Sequence, residues 1–136
     1  MPPNVHVLGM MNTADRSLAM VDYALRRRFA FVDLKPLFGT AVFNQFLAEK
    51  GADPSFVQAA SARLDELNQA IIADQNLGPG FAVGHSYFCN DGTALDPSAY
   101  GRTIEHQIVP LLEEYWFDDP DQVTKWTSKL LAPFDV

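Results

Sequence analysis

The chain has 136 residues, enough for one compact domain or for part of one with a small appendage. Hydrophobic residues make up 48% of it and no low-complexity tract interrupts them, which excludes a disordered chain. The formal net charge of -7 argues against a broad nucleic-acid face, because phosphate binding needs clustered cations. That charge is uneven: residues 1–35 hold five Lys/Arg against three acids, whereas the remainder holds five against fourteen. With no 18-residue apolar window and no charged segment leading into an apolar one at the start, a soluble, cytoplasmic protein with no membrane span is expected. The single Cys89 has no internal disulfide partner, in keeping with a reducing compartment.

In chain order, residues 4–8 (Asn4-Val5-His6-Val7-Leu8) read as a buried strand, and Asp15 or Thr13 is placed to cap a helix over about 16–27 with Leu18, Val21 and Leu25 on its apolar side. Phe29-Ala30-Phe31-Val32-Asp33-Leu34 predicts a second strand, ended by Lys35-Pro36. Helical patterns follow. Ala41–Lys50 places Val42, Phe43, Phe46 and Leu47 on one face, and Gly51 stops it. Asp53-Pro54 is a cap and first-turn proline for a helix carrying Phe56, Ala60, Leu64, Leu67 and Ile71. Gly78-Pro79-Gly80 breaks the chain. Phe81-Ala82-Val83 and Tyr87-Phe88-Cys89 then suggest a small β-hairpin around Gly84-His85-Ser86, with a turn at Asn90-Asp91-Gly92. A further helix is expected from about Arg102 to Trp116, kinked or split by Pro110. Asp119-Pro120 opens the last, with Val123, Trp126 and Leu130 on its buried side. No internal repeat is visible.

The predicted architecture is α+β and predominantly helical: a strand–helix–strand remnant over 1–36, then a helical domain with a small hairpin over 37–136. Two strands and one helix leave a sheet edge and a sheet face uncovered, so either the helical part covers them or the chain is the tail of a longer protein.

Three blocks carry more than architecture. Met10-Met11-Asn12-Thr13-Ala14-Asp15-Arg16-Ser17, Asp22-Tyr23-Ala24-Leu25-Arg26-Arg27-Arg28-Phe29 and Gly80-Phe81-Ala82-Val83-Gly84-His85-Ser86-Tyr87-Phe88 together resemble the C-terminal part of AAA+ motor proteins. Within these the chain resembles the GTP-dependent McrB-type subunit of modified-cytosine restriction systems. The resemblance runs from the fourth core strand through the helical lid. The first two blocks are the more specific, and Met10 departs from the small polar residue usual before the Met-Asn pair. No G-x-x-x-x-G-K-[ST] occurs anywhere, so the phosphates these groups would serve are not held by a P-loop of this chain.

The resemblance implies that Asn12 is the first nucleotide sensor. A strand-end carboxamide donates to a γ-phosphate oxygen and accepts from the attacking water, and phosphoryl transfer depends on such positioning. By itself, an Asn there equally starts a turn or caps a helix. The arginines divide by direction, since successive helical residues point about 100° apart. Arg26 stands four residues after Asp22 as an ordinary ion pair, and Arg27 and Arg28 suit a helix C-terminus, worth about 0.3–1 kcal/mol each. The resemblance implies more: Arg28 first, and Arg27 second, as an arginine finger reaching a neighbouring subunit's nucleotide. Asp15 and Arg16 then serve as interface or sensor-orienting residues.

Gly84-His85-Ser86 falls where AAA+ lids carry a second nucleotide sensor. His85 or Ser86 would contact nucleotide there, or Arg102 would substitute from the next helix; a tight hairpin with a backbone-bonded Ser is the plain alternative. Rival chemistries are poorer. Gly84-x-Ser86 is followed by Phe88 where a nucleophile elbow needs Gly. Cys89, His85 and His106 have no zinc-ligand spacing, and a buried inert thiol is the simpler reading, so no metal site is expected.

The resemblance therefore implies a ring of AAA+ subunits that hydrolyses GTP or ATP with Mg2+ and works on DNA with a McrC-like nuclease partner. The isolated chain is expected to bind no cofactor productively and to turn over no nucleotide. The alternative is a stand-alone interaction or regulatory module derived from such a motor.

Overall fold

A computed structural model describes residues 4–11, 27–89 and 94–134. The chain divides into two compact units, Met1–Asp33 and Leu34–Val136.

In the first unit, residues 5–11 and 30–33 carry no regular secondary structure, and Arg27, Arg28 and Phe29 form a turn and bend. The strands expected over 4–8 and 29–34 are therefore not formed, and among the described residues there is no strand. The reason is physical: alternating apolar residues make a strand only when another strand takes their N–H and C=O groups, and no such partner exists among the described residues. Val7, Leu8, Met10 and Val32 are exposed, Met10 at 96%. The helix expected over 16–27 lies outside the described residues except for its last position, and so does the turn at 90–92.

The second unit is helical. Thr40 starts α1 (Ala41–Glu49): its hydroxyl donates to the Leu37 carbonyl at 2.6 Å and accepts from the Phe43 N–H at 3.3 Å. Lys50 closes it and Gly51, at φ +92°, turns the chain away in a conformation that a side chain would strain. Asp53 caps α2 (Pro54–Ala73) by accepting from the Phe56 N–H at 2.9 Å, with Pro54 in the first turn. The predicted stripe of Phe56, Ala60, Leu64, Leu67 and Ile71 is buried throughout.

Asp96-Pro97 repeats the cap-and-proline pair and begins α3 (Pro97–Thr103), five residues before the helix start expected at Arg102. A π-helical turn, Ile104–Ile108, joins it to α4 (Val109–Tyr115). Pro110 thus neither ends nor splits the helix. Its missing N–H and bulky ring are accommodated where the turn immediately before it widens to i→i+5 pairing. Asp119 caps α5 (Pro120–Leu131), which buries Val123, Trp126 and Leu130 as expected. These faces close on one core with Phe38, Phe43, Leu47, Phe88, Tyr100, Ile104, Ile108 and Leu112. Among the described residues no helix is long and apolar enough to cross a membrane.

Beyond α2, the Asp74 carboxylate accepts from Trp116 Nε1 at 2.9 Å and from the Asn76 N–H at 2.8 Å, linking the end of α2 to the end of α4. The Trp116 hydrogen bond, then the Asn76 one, holds its carboxyl below the ordinary 3.8. The linkage follows in sign. Asp74 stabilises the fold fully above the unfolded-state value, and that contribution is lost as pH falls through the lower folded value. Asp74→Asn is expected to flatten the stability–pH curve below about pH 4 and leave its slope above about pH 5 unchanged, as read by urea denaturation across pH.

Candidate functional site

The segment between α2 and α3 is where hairpin pairing was expected. Instead, Pro79–Phe81 and His85–Phe88 each form a short 3-10 turn. Asn68, on the buried face of α2, explains why. Its Oδ1 accepts from the Val83 N–H at 2.7 Å and its Nδ2 donates to the Val83 carbonyl at 3.0 Å, with both residues buried. One carboxamide thereby takes both backbone groups that a strand partner would have taken. Gly78, at φ +94°, brings the chain around from α2 to this clamp, and its N–H donates to the Ile71 carbonyl at 3.2 Å.

His85 follows two residues after the clamped Val83. Its Nδ1 accepts from the Leu37 N–H at 3.3 Å, so the neutral ring carries its proton on Nε2. Its ring meets Phe43 edge-on, with centroids 5.8 Å apart. His85 therefore ties the turn at 85–88 to the segment entering α1. Nearby, the Gly39 N–H donates to buried Ser61 Oγ at 2.7 Å, fastening the same entry segment to α2.

These ties frame an open groove of about 200 Å³ lined by Leu37, Val42, Phe43, Phe46, His85 and Cys89. Its lining is almost wholly apolar. Val42 and Phe46, placed by the sequence pattern on one face with Phe43 and Leu47, are 68% and 38% exposed and form its lip. Lys50 Nζ lies 4.7 Å from the Phe46 ring centroid at that lip. Cys89 Sγ donates to the His85 carbonyl at 3.3 Å, and burial pushes its thiol up, partly offset by Lys50. A raised thiol is a poor nucleophile. No group of three or more His, Cys, Asp or Glu placed to hold a metal occurs among the described residues, so Cys89, His85 and His106 do not gather into a zinc site.

The predicted site residues fare differently. Asn12, Asp15 and Arg16 lie outside the described residues. Arg27 and Arg28 are exposed in the turn that opens the described stretch 27–33 of the first unit. Ser86 is exposed on the His85–Phe88 turn. Arg102 is exposed on α3 and donates from Nη1 to Ser98 Oγ at 2.7 Å, one helical turn back. His85 and Ser86 thus share one turn, while Arg102 is engaged along its own helix. Asn68 was missed by the sequence reading. Its signal was legible, because it is a polar side chain four residues after Leu64 inside an otherwise apolar stripe.

Residues 59–124, most of α2 through the first turn of α5, match the family described as McrB, alpha-helical lid domain. Over 135 aligned residues the chain is 53% identical to the type IV methyl-directed restriction enzyme EcoKMcrB subunit of Escherichia coli strain K12. The chain is McrB-like. The alignment covers 96% of this chain and 29% of that subunit, so the chain spans less than a third of the relative's length. The Asn68 clamp, the His85 turn and the π-containing helix all lie inside the lid match, whereas Leu37 and α1, which form the other wall of the groove, precede it.

Proposed function

We propose that this McrB-like chain supplies the first sensor, the arginine finger and the lid of an AAA+ motor that hydrolyses GTP or ATP with Mg2+ as a ring and works on DNA with a McrC-like nuclease. The observation that carries the proposal is the 53% identity over 96% of the chain, which takes in the Asn12 and Arg28 blocks together with the lid. In this reading residues 1–36 complete an α/β core whose other strands pair with 4–8 and 29–34, and residues 37–136 form the lid. The exposed apolar side chains of the first unit suit such a covered sheet.

The roles divide between two nucleotides. Asn12 orients water at the γ-phosphate of its own subunit's nucleotide, and Arg28 stabilises charge on the neighbour's, with Arg27 beside it. Asp15 and Arg16 orient these groups at the subunit boundary. In the lid, the groove beside His85 fits a planar base: its walls are aromatic and aliphatic, and His85 Nε2–H gives one donor. Ser86, exposed on the same turn, contributes a polar contact, and Arg102 would do so on leaving its hydrogen bond to Ser98. Lys50 at the lip is the cation beside the groove's apolar lining, so the phosphates need further cations from the remainder of the motor.

A graft tests this reading. With the matching segment of the Escherichia coli subunit replaced by this chain, GTP hydrolysis is expected within about tenfold of the parent. The same graft carrying Asn12→Ala should lose about 10²–10³ in kcat. The isolated chain should turn over neither GTP nor ATP. A folded, assembled graft without activity, or isolated-chain turnover abolished by Asn12→Ala, overturns the proposal.

A further inference from the structure

The last described residues are held in an unusual way. Pro133 forces Ala132 out of the helical region, to φ -55° and ψ 142°, so α5 ends and the chain runs on as an extended segment. Its carbonyls converge on one side chain of α2. Arg63 Nη1 donates to the Ala132 carbonyl at 2.5 Å and, at 3.5 Å, to that of Leu130; Nη2 donates to the Pro133 carbonyl at 2.8 Å. The same guanidinium lies 3.8 Å from the centroid of the Phe134 ring. Phe134 meets Phe56 edge-on at 4.9 Å and Tyr100 edge-on at 5.4 Å.

The occupant and its seat differ in burial. Phe56 and Tyr100 are each 1% exposed, while Phe134 and Ala132 are only half-buried and Pro133 is exposed. Beneath them the Tyr100 hydroxyl is buried with no hydrogen-bond partner among the described residues. Burial pushes its phenol far up, with only a partial offset from Arg63. A closed strap thus keeps a polar group dry, and opening it would let water reach that group, which lowers the cost of release. Attachment through one guanidinium and one ring is the pattern of a segment that opens locally, without unfolding the helices.

We propose that Arg63, Phe56 and Tyr100 form a peptide-binding slot for an extended Ala-Pro-aromatic segment, occupied by this chain's own residues 132–134 as a releasable strap. The guanidinium recognises two successive carbonyls, the proline presets the extended backbone, and the aromatic walls take the ring. The occupant is this segment, in cis or from a second copy.

The test uses the chain ending at Leu131 and, as probe, the heptapeptide Leu-Leu-Ala-Pro-Phe-Asp-Val, residues 130–136. The shortened chain should keep its helical circular dichroism and a cooperative melt, and should bind the peptide with Kd of roughly 10–100 µM. Arg63→Ala in the shortened chain, or Phe134→Ala in the peptide, should each weaken binding by about tenfold or more. The intact chain should bind at least about tenfold more weakly than the shortened one, because its own strap competes at about millimolar effective concentration. Tyrosine absorbance should show one phenol moving toward ordinary titration when the strap is removed and back when peptide is added. Loss of the fold on shortening would make residues 132–136 integral to the core and overturn the proposal. So would undetectable binding, binding indifferent to Arg63→Ala, or equal binding by the intact chain.

Discussion

Asn68→Leu is expected to lower the melting temperature of the helical unit by about 10–20 °C while leaving its helical content nearly unchanged below the transition. The substitution keeps the γ-branched outline, in a somewhat bulkier side chain, but strands the Val83 N–H and carbonyl, both taken by the Asn68 carboxamide at 2.7 and 3.0 Å in a buried setting. Each stranded group costs about 1–3 kcal/mol, so a loss of about 2–6 kcal/mol should appear in urea or thermal denaturation. Asn68→Asp separates hydrogen bonding from shape. Its carboxylate still accepts from the Val83 N–H but faces the Val83 carbonyl without a proton to give. Protonation restores that donor, so this variant should be less damaged at acidic than at neutral pH. Equal damage at both would mean that packing, rather than the paired hydrogen bonds, holds the segment.

Arg28→Ala in the assembled, grafted motor is expected to reduce kcat by about 10³–10⁵ with little change in KM, as for a group acting on the transition state across a subunit boundary. Arg28→Lys should recover little of the loss, because a point charge does not reproduce the planar fork. Mixed rings give the sharper readout. Subunits carrying Arg28→Ala keep Asn12, and subunits carrying Asn12→Ala keep the finger. Mixing the two inactive species should therefore restore turnover at the interfaces that pair an intact sensor with an intact finger. No restoration would place Arg28 on its own subunit's nucleotide, or away from the chemistry altogether. A similar loss from Arg27→Ala would show that the two arginines act as a pair.

The legible parts of the molecule are those whose causes are local. Asp53-Pro54 and Asp119-Pro120 announce helices because a carboxylate three residues from an unpaired N–H satisfies it wherever the rest of the chain goes. Asp96-Pro97 carries the same signal, and overlooking it shifted the expected start of α3 to Arg102. The apolar stripes of α2 and α5 were equally plain, since a 3.6-residue period aims Leu64, Leu67 and Ile71, or Val123, Trp126 and Leu130, to one side. For α1 the period identified the helix but not which half of its apolar face would be covered. Phe43 and Leu47 went to the core, leaving Val42 and Phe46 on the groove.

Residues 79–89 show where local inference stops. Phe81-Ala82-Val83, between glycines, and Tyr87-Phe88-Cys89, between Ser86 and Asn90, are short apolar runs, which suits a strand or a buried turn equally. The choice was made 15 residues away, by one carboxamide on α2 that occupies both backbone groups of Val83. The seat of Phe134 was decided 69 residues from the strap's Ala132, by Arg63. By itself the sequence determined α1, α2 and α5, the caps at Asp53 and Asp119, the buried stripes of α2 and α5 and the McrB-like character of the chain, because capping, periodicity and motif all act within a few residues. Only the tertiary structure decided the path between α2 and α3, the groove beside His85 and the clamp on the strap. Those depend on which distant polar side chain reaches a backbone group first, and a buried N–H or carbonyl accepts whichever partner the packing delivers.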